Sequence, residues 1–242
     1  MAQVTPYHHS EKSKREQVEK MFDHIAPKYD FLNHFLSFGI DRSWRKTAIN
    51  MLSAESPKLI LDIATGTADF AIAASRLHPN KITGIDISER MLKVGHAKLR
   101  LKNLENKIQL MKADSEALPF ADESYDAVTV AFGVRNFENL QKGLKEIYRV
   151  LKPKGSVVIL EFSMPHKFPV RLLYKLYSKT ILPLSGKIFA NDAAAYTYLP
   201  ASIEKFPSGY KFLSELDKAG FKENIFKPLT FGIATVYKGT KK

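Results

Sequence analysis

The feature that most constrains the fold is an alternation, between residues 58 and 162, of short apolar runs with segments that suit a helix. The runs have the length of strands and read KLILDI (58–63), ITGIDI (82–87), KIQLMKAD (107–114), YDAVTVAF (125–132) and SVVILEF (156–162). Helices are predicted over 69–77, 91–101 and 140–151, the second with Ser88 as its N-cap. Alternation of this kind predicts an α/β fold with a mostly parallel sheet and helices on both of its faces.

The segment before the alternation has helical spacing. Apolar residues recur at helical intervals over 18–36 and are interrupted by Pro27, so two short helices joined at that proline are predicted. The first twenty or so residues are mostly polar, and we expect them to form a solvent-exposed arm.

The segment after the alternation breaks its rhythm. Residues 164–200 are rich in aromatic residues, leucine, lysine and proline, and they are interpreted as an insertion between strands. A helix over 209–219 and a strand over 231–239 are predicted to follow. We therefore divide the chain into an N-terminal helical arm, residues 1–50, and one α/β domain, residues 51–242, which carries the insertion.

Composition limits the partners and the chemistry. The 242 residues include no cysteine, which excludes disulfides, thiolate metal sites and thiol nucleophiles and favours a reducing, cytoplasmic compartment. No run approaches the roughly 20 apolar residues that span a bilayer, so any membrane role is predicted to be peripheral. A net charge of +12 favours an anionic partner, either nucleic acid or an acidic lipid surface. His24, His34 and His166 are scattered along the chain, and no metal site is predicted.

Three strand ends carry residues that suit a nucleoside. In an open parallel sheet, ligands bind beyond the carboxyl ends of the strands. The turn within DIATGTADFA (62–71) lets a ligand approach the backbone, Asp86 could accept both hydroxyls of a ribose, and Asp114 with Ser115 could contact an adenine edge. Neither a G-x-G-x-x-G turn nor a G-x-x-x-x-G-K-[ST] loop is present, so a nucleoside without a pyrophosphate is favoured.

Four further segments make the pattern specific. They are YDFLNHFLSFGIDRSW (29–44), ADSEALPF (113–120), FGVRNF (132–137) and RVLKPKGSVVILEFS (149–163). With the strand-end residues they resemble the class I methyltransferases and, within them, the ubiquinone/menaquinone biosynthesis C-methyltransferase family. The resemblance implies a Rossmann-like fold and S-adenosylmethionine as cofactor, bound by Gly66, Thr67, Asp86, Asp114 and Ser115. For Thr67 and Ser115, a simple helix cap is the alternative.

The chain departs from the family pattern at a few positions. Leu32, Asp41 and Lys154 replace the usual Met, His and Gly. Ala68 stands where the family has Gly, and a positive φ at that position would cost about 1 kcal/mol. Ala131 stands where Ser is common, so one polar contact to the cofactor is expected to be missing.

The resemblance also implies the reaction. The acceptor would be a polyprenyl quinol, most simply demethylmenaquinol converted to menaquinol, with the corresponding benzoquinol of the ubiquinone pathway as the alternative. A quinol carbon is nucleophilic and a quinone carbon is not, so reduction must come first. Arg135 is the candidate catalytic residue, because its charge could stabilise a phenolate or orient a water. Alternatively, Arg135 pairs with Glu161 and only braces the site. Tyr29, Asp30 and Asn33 would form a lid or, equally, pack and cap their helix.

We expect the insertion, residues 164–200, to contact the polyprenyl tail of the substrate and the surface of the membrane. Its aromatic and basic residues suit an anionic bilayer interface, and they are Tyr174, Tyr177, Phe189, Tyr196, Tyr198, Arg171, Lys175, Lys179 and Lys187.

The expected location is the cytoplasm, in transient contact with the inner face of the membrane. No nucleic-acid partner is expected, and a homodimer is left open. Core packing with a solvated basic face is the alternative for the insertion. A small-molecule or RNA methyltransferase, or a scaffold that has lost turnover through changes such as Ala68 and Ala131, are the alternatives for the function.

Overall fold

The computed structural model describes residues 4–7, 10–165, 168–174, 176, 180 and 193–242. Its centre is a seven-stranded sheet in the order β3-β2-β1-β4-β5-β7-β6. The strands are β1 Leu59–Ile63, β2 Lys81–Asp86, β3 Ile108–Lys112, β4 Tyr125–Ala131, β5 Leu151–Phe162, β6 Lys222–Leu229 and β7 Ala234–Thr240. The first five pair in parallel, and β7 runs antiparallel between β5 and β6. The predicted mostly parallel α/β sheet is confirmed.

Helices cover both faces of this sheet and the carboxyl ends of its parallel strands. They are α1 Lys14–Ile25, α2 Tyr29–Leu36, α3 Asp41–Asn50, α4 Asp69–Ala74, α5 Glu89–Leu101, α6 Leu140–Val150, α7 Ala193–Lys205 and α8 Tyr210–Ala219. Ser88 caps α5 as predicted, since its hydroxyl accepts the Met91 N–H at 3.1 Å. The predicted break at Pro27 is also confirmed, as a short 3-10 turn over Ala26–Lys28. None of the helices among the described residues is long and apolar enough to cross a membrane.

Three apolar clusters hold these layers together. One face of the sheet packs on α6 and α8 through residues such as Leu144 and Phe212, and the other packs on α3 and α4 through Trp44 and Phe70. A third cluster joins α1, α2, α5 and α7 and contains Val18, Met21, Leu32, Met91 and Tyr198. The parallel strands are therefore covered on both faces, which explains why their sequences are continuous apolar runs.

Several boundary predictions were wrong: the strand predicted over 156–162 begins at Leu151, the helix predicted over 69–77 ends at Ala74, and both ends of the chain differ. The arm expected to be solvent-exposed becomes helical at Lys14, and Lys14, Gln17 and Val18 are buried. Lys14 tolerates burial because its Nζ donates to the carbonyls of Arg135 and Phe137, at 3.1 and 2.8 Å. The last strand begins at Ala234 rather than 231, since the preceding residues form the 3-10 turn Thr230–Gly232. The division into residues 1–50 and 51–242 stays a prediction.

Candidate functional site

Two adjoining cavities lie at the point where the strand order reverses. From β1 the chain continues to β2 on one side, and from β4 it continues to β5 on the other, which is where open α/β sheets bind ligands. The first cavity, of about 690 Å³ with its open mouth, lies at the carboxyl ends of β1, β2 and β4 and is covered by α1. The second, of about 1010 Å³, lies among α1, α2, α3 and α7. Phe22, Tyr29 and Phe132 line both cavities and form their shared wall.

The loop after β1 approaches the first cavity in a strained conformation. Ala64, Gly66 and Ala68 have φ values of +51, +56 and +69°, all in the left-handed region. Glycine adopts this region freely, whereas each alanine there costs about 1–2 kcal/mol. Ala68 therefore has the positive φ for which a cost in stability is expected from the sequence. Gly66 is turned so that its N–H donates to Oδ2 of Asp86 at 2.8 Å.

Asp86 is held rigidly at the end of β2. Its side chain is buried, lines the first cavity and accepts the N–H groups of Gly66 and, at 2.9 Å, Ser88. Burial raises the pKa of Asp86 to about 6, although these hydrogen bonds oppose the rise. A fixed carboxylate with lone pairs left beside a cavity can accept hydrogen bonds from ligand hydroxyls.

Asp114 and Ser115 also line the first cavity, on the side of β3. Asp114 accepts the Glu116 N–H at 2.9 Å and forms an ion pair of 3.0 Å with Arg15 of α1. The structure thus brings together four of the five predicted cofactor residues, namely Gly66, Asp86, Asp114 and Ser115. Their binding of the cofactor stays a prediction.

Thr67, the fifth predicted cofactor residue, is placed differently. Its buried hydroxyl donates to Asp30 of α2 at 2.5 Å and accepts from Lys98 of α5 at 3.2 Å. Lys98 also forms ion pairs with Asp30, at 2.8 Å, and with Asp69. Thr67 is absent from the described residues that line either cavity. In the structure it connects the loop after β1 to α2, and its contact with a cofactor stays a prediction.

Arg135 lines the second cavity and is paired with Glu161 at the end of β5. The guanidinium lies 2.8 Å from Glu161, its side chain is 7% exposed and that of Glu161 is fully buried. The guanidinium also bonds the carbonyl of Phe132, and it lies 5.6 Å from the ring centre of Phe162. Burial raises the pKa of Glu161, and the charge of Arg135 opposes the rise.

This pairing is the one that the bracing interpretation requires, and it leaves one donor of Arg135 without a hydrogen bond. Its Nε atom is buried without a hydrogen-bond partner in the described part of the chain. The residue as a whole lines the second cavity, as does Arg45, whose Nε is likewise buried without a partner among the described residues. The catalytic role of Arg135 stays a prediction.

The described tyrosines of the insertion are not at the surface. Tyr174 and Tyr198 are 9% and 4% exposed, and both line the second cavity, so the expectation that they lie at a bilayer interface was wrong for these two. The hydroxyl of Tyr198 donates to Asn136 at 3.1 Å, which satisfies it away from water. Other residues predicted for that surface lie outside the described residues, namely Lys175, Tyr177, Lys179, Lys187, Phe189 and the side chain of Tyr196.

Sequence reasoning missed the contributions of α1 and α3. Arg15 and Phe22 line the first cavity, and Trp44 and Arg45 line the second; only Trp44 lies in a segment, 29–44, that the resemblance singles out, and no role was predicted for it. Buried Arg45 pairs with Asp41, whose carboxylate also lies 2.9 Å from His34. The hydrogen bonds from His34 and Arg45 hold the pKa of Asp41 below its usual value against the effect of burial. Within the described ranges, no group of three or more acidic or histidine side chains could hold a metal.

Comparisons with known proteins agree with this geometry. The model of the ubiE/COQ5 methyltransferase family matches residues 10–241. A demethylmenaquinone methyltransferase of Bacteroides fragilis is 50% identical over 239 residues, covering 98% of this chain and 97% of that protein. A ubiquinone/menaquinone biosynthesis C-methyltransferase UbiE of Geotalea daltonii is 46% identical over 230 residues, covering 94% and 97%. The crystal structure of a SAM-dependent methyltransferase of Thermotoga maritima shares the fold, with a TM-score of 0.65, 21% identity and coverage of 93% and 99%.

Proposed function

The chain belongs to the ubiE/COQ5 methyltransferase family, and from that premise we propose that it transfers a methyl group from S-adenosylmethionine to a ring carbon of demethylmenaquinol. The relatives that support this substrate are named demethylmenaquinone methyltransferases, and those named UbiE extend the name to ubiquinone. The polyprenyl benzoquinol is therefore the second candidate acceptor.

The first cavity suits this cofactor. It is of the size of a small-molecule site, and its polar lining, which also includes Arg15 and Asn136, contains carboxylates and a hydroxyl that suit a ribose and an adenine. Asp86 would hold the ribose hydroxyls, Gly66 would admit the amino-acid portion close to the backbone, and Asp114 with Ser115 would contact the base. The bound cofactor would supply a methyl group that its sulfonium already activates.

The second cavity suits the quinol ring. The observation that carries the proposal is that Phe22, Tyr29 and Phe132 line both cavities, so a ring in the second cavity would lie next to a methyl group in the first. These apolar and aromatic side chains would exclude water and align the two reactants. The positive charge of Arg135, which lines this cavity, would stabilise the phenolate that makes the ring carbon nucleophilic.

The reaction balances without a further reactant. The ring carbon forms a bond to the methyl carbon as the bond from that carbon to sulfur breaks, which leaves a neutral thioether. The phenol would lose its proton before the transfer; afterwards the ring would lose the proton on the methylated carbon, and the phenolate oxygen would regain one. One proton is released for each methyl group transferred.

The N-terminal helices form the lid in this proposal. Asp30 attaches α2 to the loop after β1 through Thr67 and Lys98, while Tyr29 and Asn33 line the second cavity. The same proposal places the protein in the cytoplasm, at the inner face of the membrane that holds the quinol. The homodimer stays a prediction.

The test is incubation with isotopically labelled S-adenosylmethionine and either reduced or oxidised demethylmenaquinone, followed by mass analysis. We expect one labelled methyl group on the reduced substrate and none on the oxidised one, and the demethylated benzoquinol provides the comparison between acceptors. Calorimetry with the cofactor is run in parallel. A protein that binds the cofactor but methylates no reduced quinol would contradict the proposal.

A further inference from the structure

The turn between α2 and α3 exposes apolar side chains to solvent. Phe35, Phe38 and Ile40 are 52%, 83% and 40% exposed, and Phe31, one turn earlier on α2, is 57% exposed. We call residues 35–40 the α2–α3 tip. Soluble proteins rarely expose several large apolar side chains next to one another unless those side chains contact a partner or a membrane.

The same turn faces the second cavity with its other side. Leu32, Asn33, Leu36 and Ser37 line that cavity, and they alternate in sequence with the exposed phenylalanines at 31, 35 and 38. Phe31 and Phe35 are four residues apart on α2, which places them on one side of that helix, and Phe38 follows in the turn after it. Leu36 and Ser37 of the α2–α3 tip thus belong to the wall of the second cavity, whereas Phe35, Phe38 and Ile40 lie on its outer side and do not line it.

Basic side chains follow the tip directly. Arg42 and Lys46 of α3, with Arg76 and Lys102, line an open groove on this side of the molecule and are exposed. Over the described residues, none of these four forms an ion pair or a side-chain hydrogen bond. Arg45 and Lys98 in the same groove differ, because they are neutralised by Asp41, Asp69 and Asp30. An apolar tip beside unneutralised cations is the arrangement that anionic lipid surfaces bind.

We propose that the α2–α3 tip inserts Phe35, Phe38 and Ile40 into the interface of an anionic bilayer while Arg42 and Lys46 contact lipid phosphates. This inference rests on the proposed function, since the polyprenyl quinol would then enter the second cavity from the bilayer through the wall that touches it. A second copy of the chain is a poor occupant, because a two-fold contact would place the same cations opposite one another.

The test is co-flotation with phosphatidylcholine vesicles that contain either no anionic lipid or about 30% phosphatidylglycerol. Phe38→Asn is the first variant, because φ of Phe38 is +51° and asparagine tolerates that region. We expect it to lower binding to anionic vesicles at least about tenfold. Arg42→Gln with Lys46→Gln should lower binding about 25-fold, roughly fivefold for each charge, and remove most of its salt dependence. Ile225→Asn, at an exposed position on the edge strand β6, is the matched control and should bind as the unmodified protein does.

Turnover separates this inference from the function on which it rests. Phe38→Asn should methylate a tail-less, water-soluble demethylmenaquinol analogue at the unmodified rate, and long-chain quinol in anionic vesicles at least about tenfold more slowly. Equal vesicle binding by the tip variants and the control would overturn the inference. So would loss of self-association in Phe38→Asn with vesicle binding intact, because the tip would then join two copies. Failure of every form to methylate the soluble analogue would instead count against the proposed function.

Discussion

Replacing Arg135 by glutamine tests both the architecture of the site and its chemistry. The substitution leaves the Glu161 carboxylate, which is fully buried, without the cation that lies 2.8 Å from it. Removing one partner of a buried ion pair costs about 3–5 kcal/mol, because the remaining charge stays desolvated. For a chain of this length that corresponds to a melting temperature lowered by about 6–20 °C. The exposed pair of Lys218 and Glu215 provides a control, since Lys218→Gln should change stability by less than about 1 kcal/mol.

A double variant separates bracing from catalysis. Arg135→Gln with Glu161→Gln removes both charges, so we expect it to regain most of the stability that the single variant loses. If the charge of Arg135 stabilises a phenolate, the double variant will be stable and bind cofactor but turn over about 10²-fold more slowly. If Arg135 only braces, turnover will recover with stability. The readout is unfolding, cofactor calorimetry and turnover of the unmodified protein, the two single variants Arg135→Gln and Glu161→Gln, and the double variant. Single losses that simply add in the double variant would refute the coupling on which this reasoning depends.

Three further expectations concern the first cavity and the strand beside it. Asp86→Ala should weaken S-adenosylmethionine binding by about 2–3 kcal/mol in calorimetry, and unchanged affinity in a folded variant would remove Asp86 from the site. Ala68→Gly should raise the free energy of unfolding by up to about 1 kcal/mol, because relief of the positive φ exceeds the loss of one buried methyl group; a measured loss would mean that the loop is adapted to alanine. Burial raises the pKa of Asp62 from 3.8 to about 6, so the folded chain retains this proton to higher pH than the unfolded chain does. Stability contributed by the protonated form is therefore lost as pH rises through that interval, and urea unfolding of Asp62→Asn should show a smaller decline than the unmodified protein; equal declines would contradict the assignment.

The parts of the site that could be predicted are those that topology alone brings together. Parallel strands end at one edge, so Gly66, Asp86 and Asp114 could be assigned to a common cavity from their places after β1, β2 and β3. The periods of the apolar residues likewise predicted most helices and strands. A polar residue at the carboxyl end of a parallel strand can therefore be assigned to the ligand cavity even when its contacts are unknown.

The parts that could not be predicted depend on contacts between distant elements. Thr67 follows β1 at a position where a ligand residue is expected, yet its hydroxyl donates a hydrogen bond to Asp30 of α2. No local spacing in the sequence predicts this contact. Lys14 is a charged residue in a polar segment, and only the distant carbonyls of the 132–137 segment make its burial tolerable. Tyr174 and Tyr198 are of a residue type that is common at membrane interfaces, yet both are buried. The cavity they line exists only once α2 and α7 have packed, so their burial could not be predicted from local sequence.

The wall between the two cavities has a consequence for how such an enzyme can diversify. Phe132 comes from the end of β4, whereas Phe22 and Tyr29 come from the N-terminal helices. Most of the surface that would surround the acceptor is thus built outside the first four strands, on α1, α2, α3 and α7. Of these helices, α3 and α7 line the second cavity without lining the first, so exchanging them would present a new acceptor to an unchanged cofactor cavity. A designer who wants another substrate on this scaffold should therefore keep β1 to β4 with α1 and Tyr29, and vary α3 together with α7.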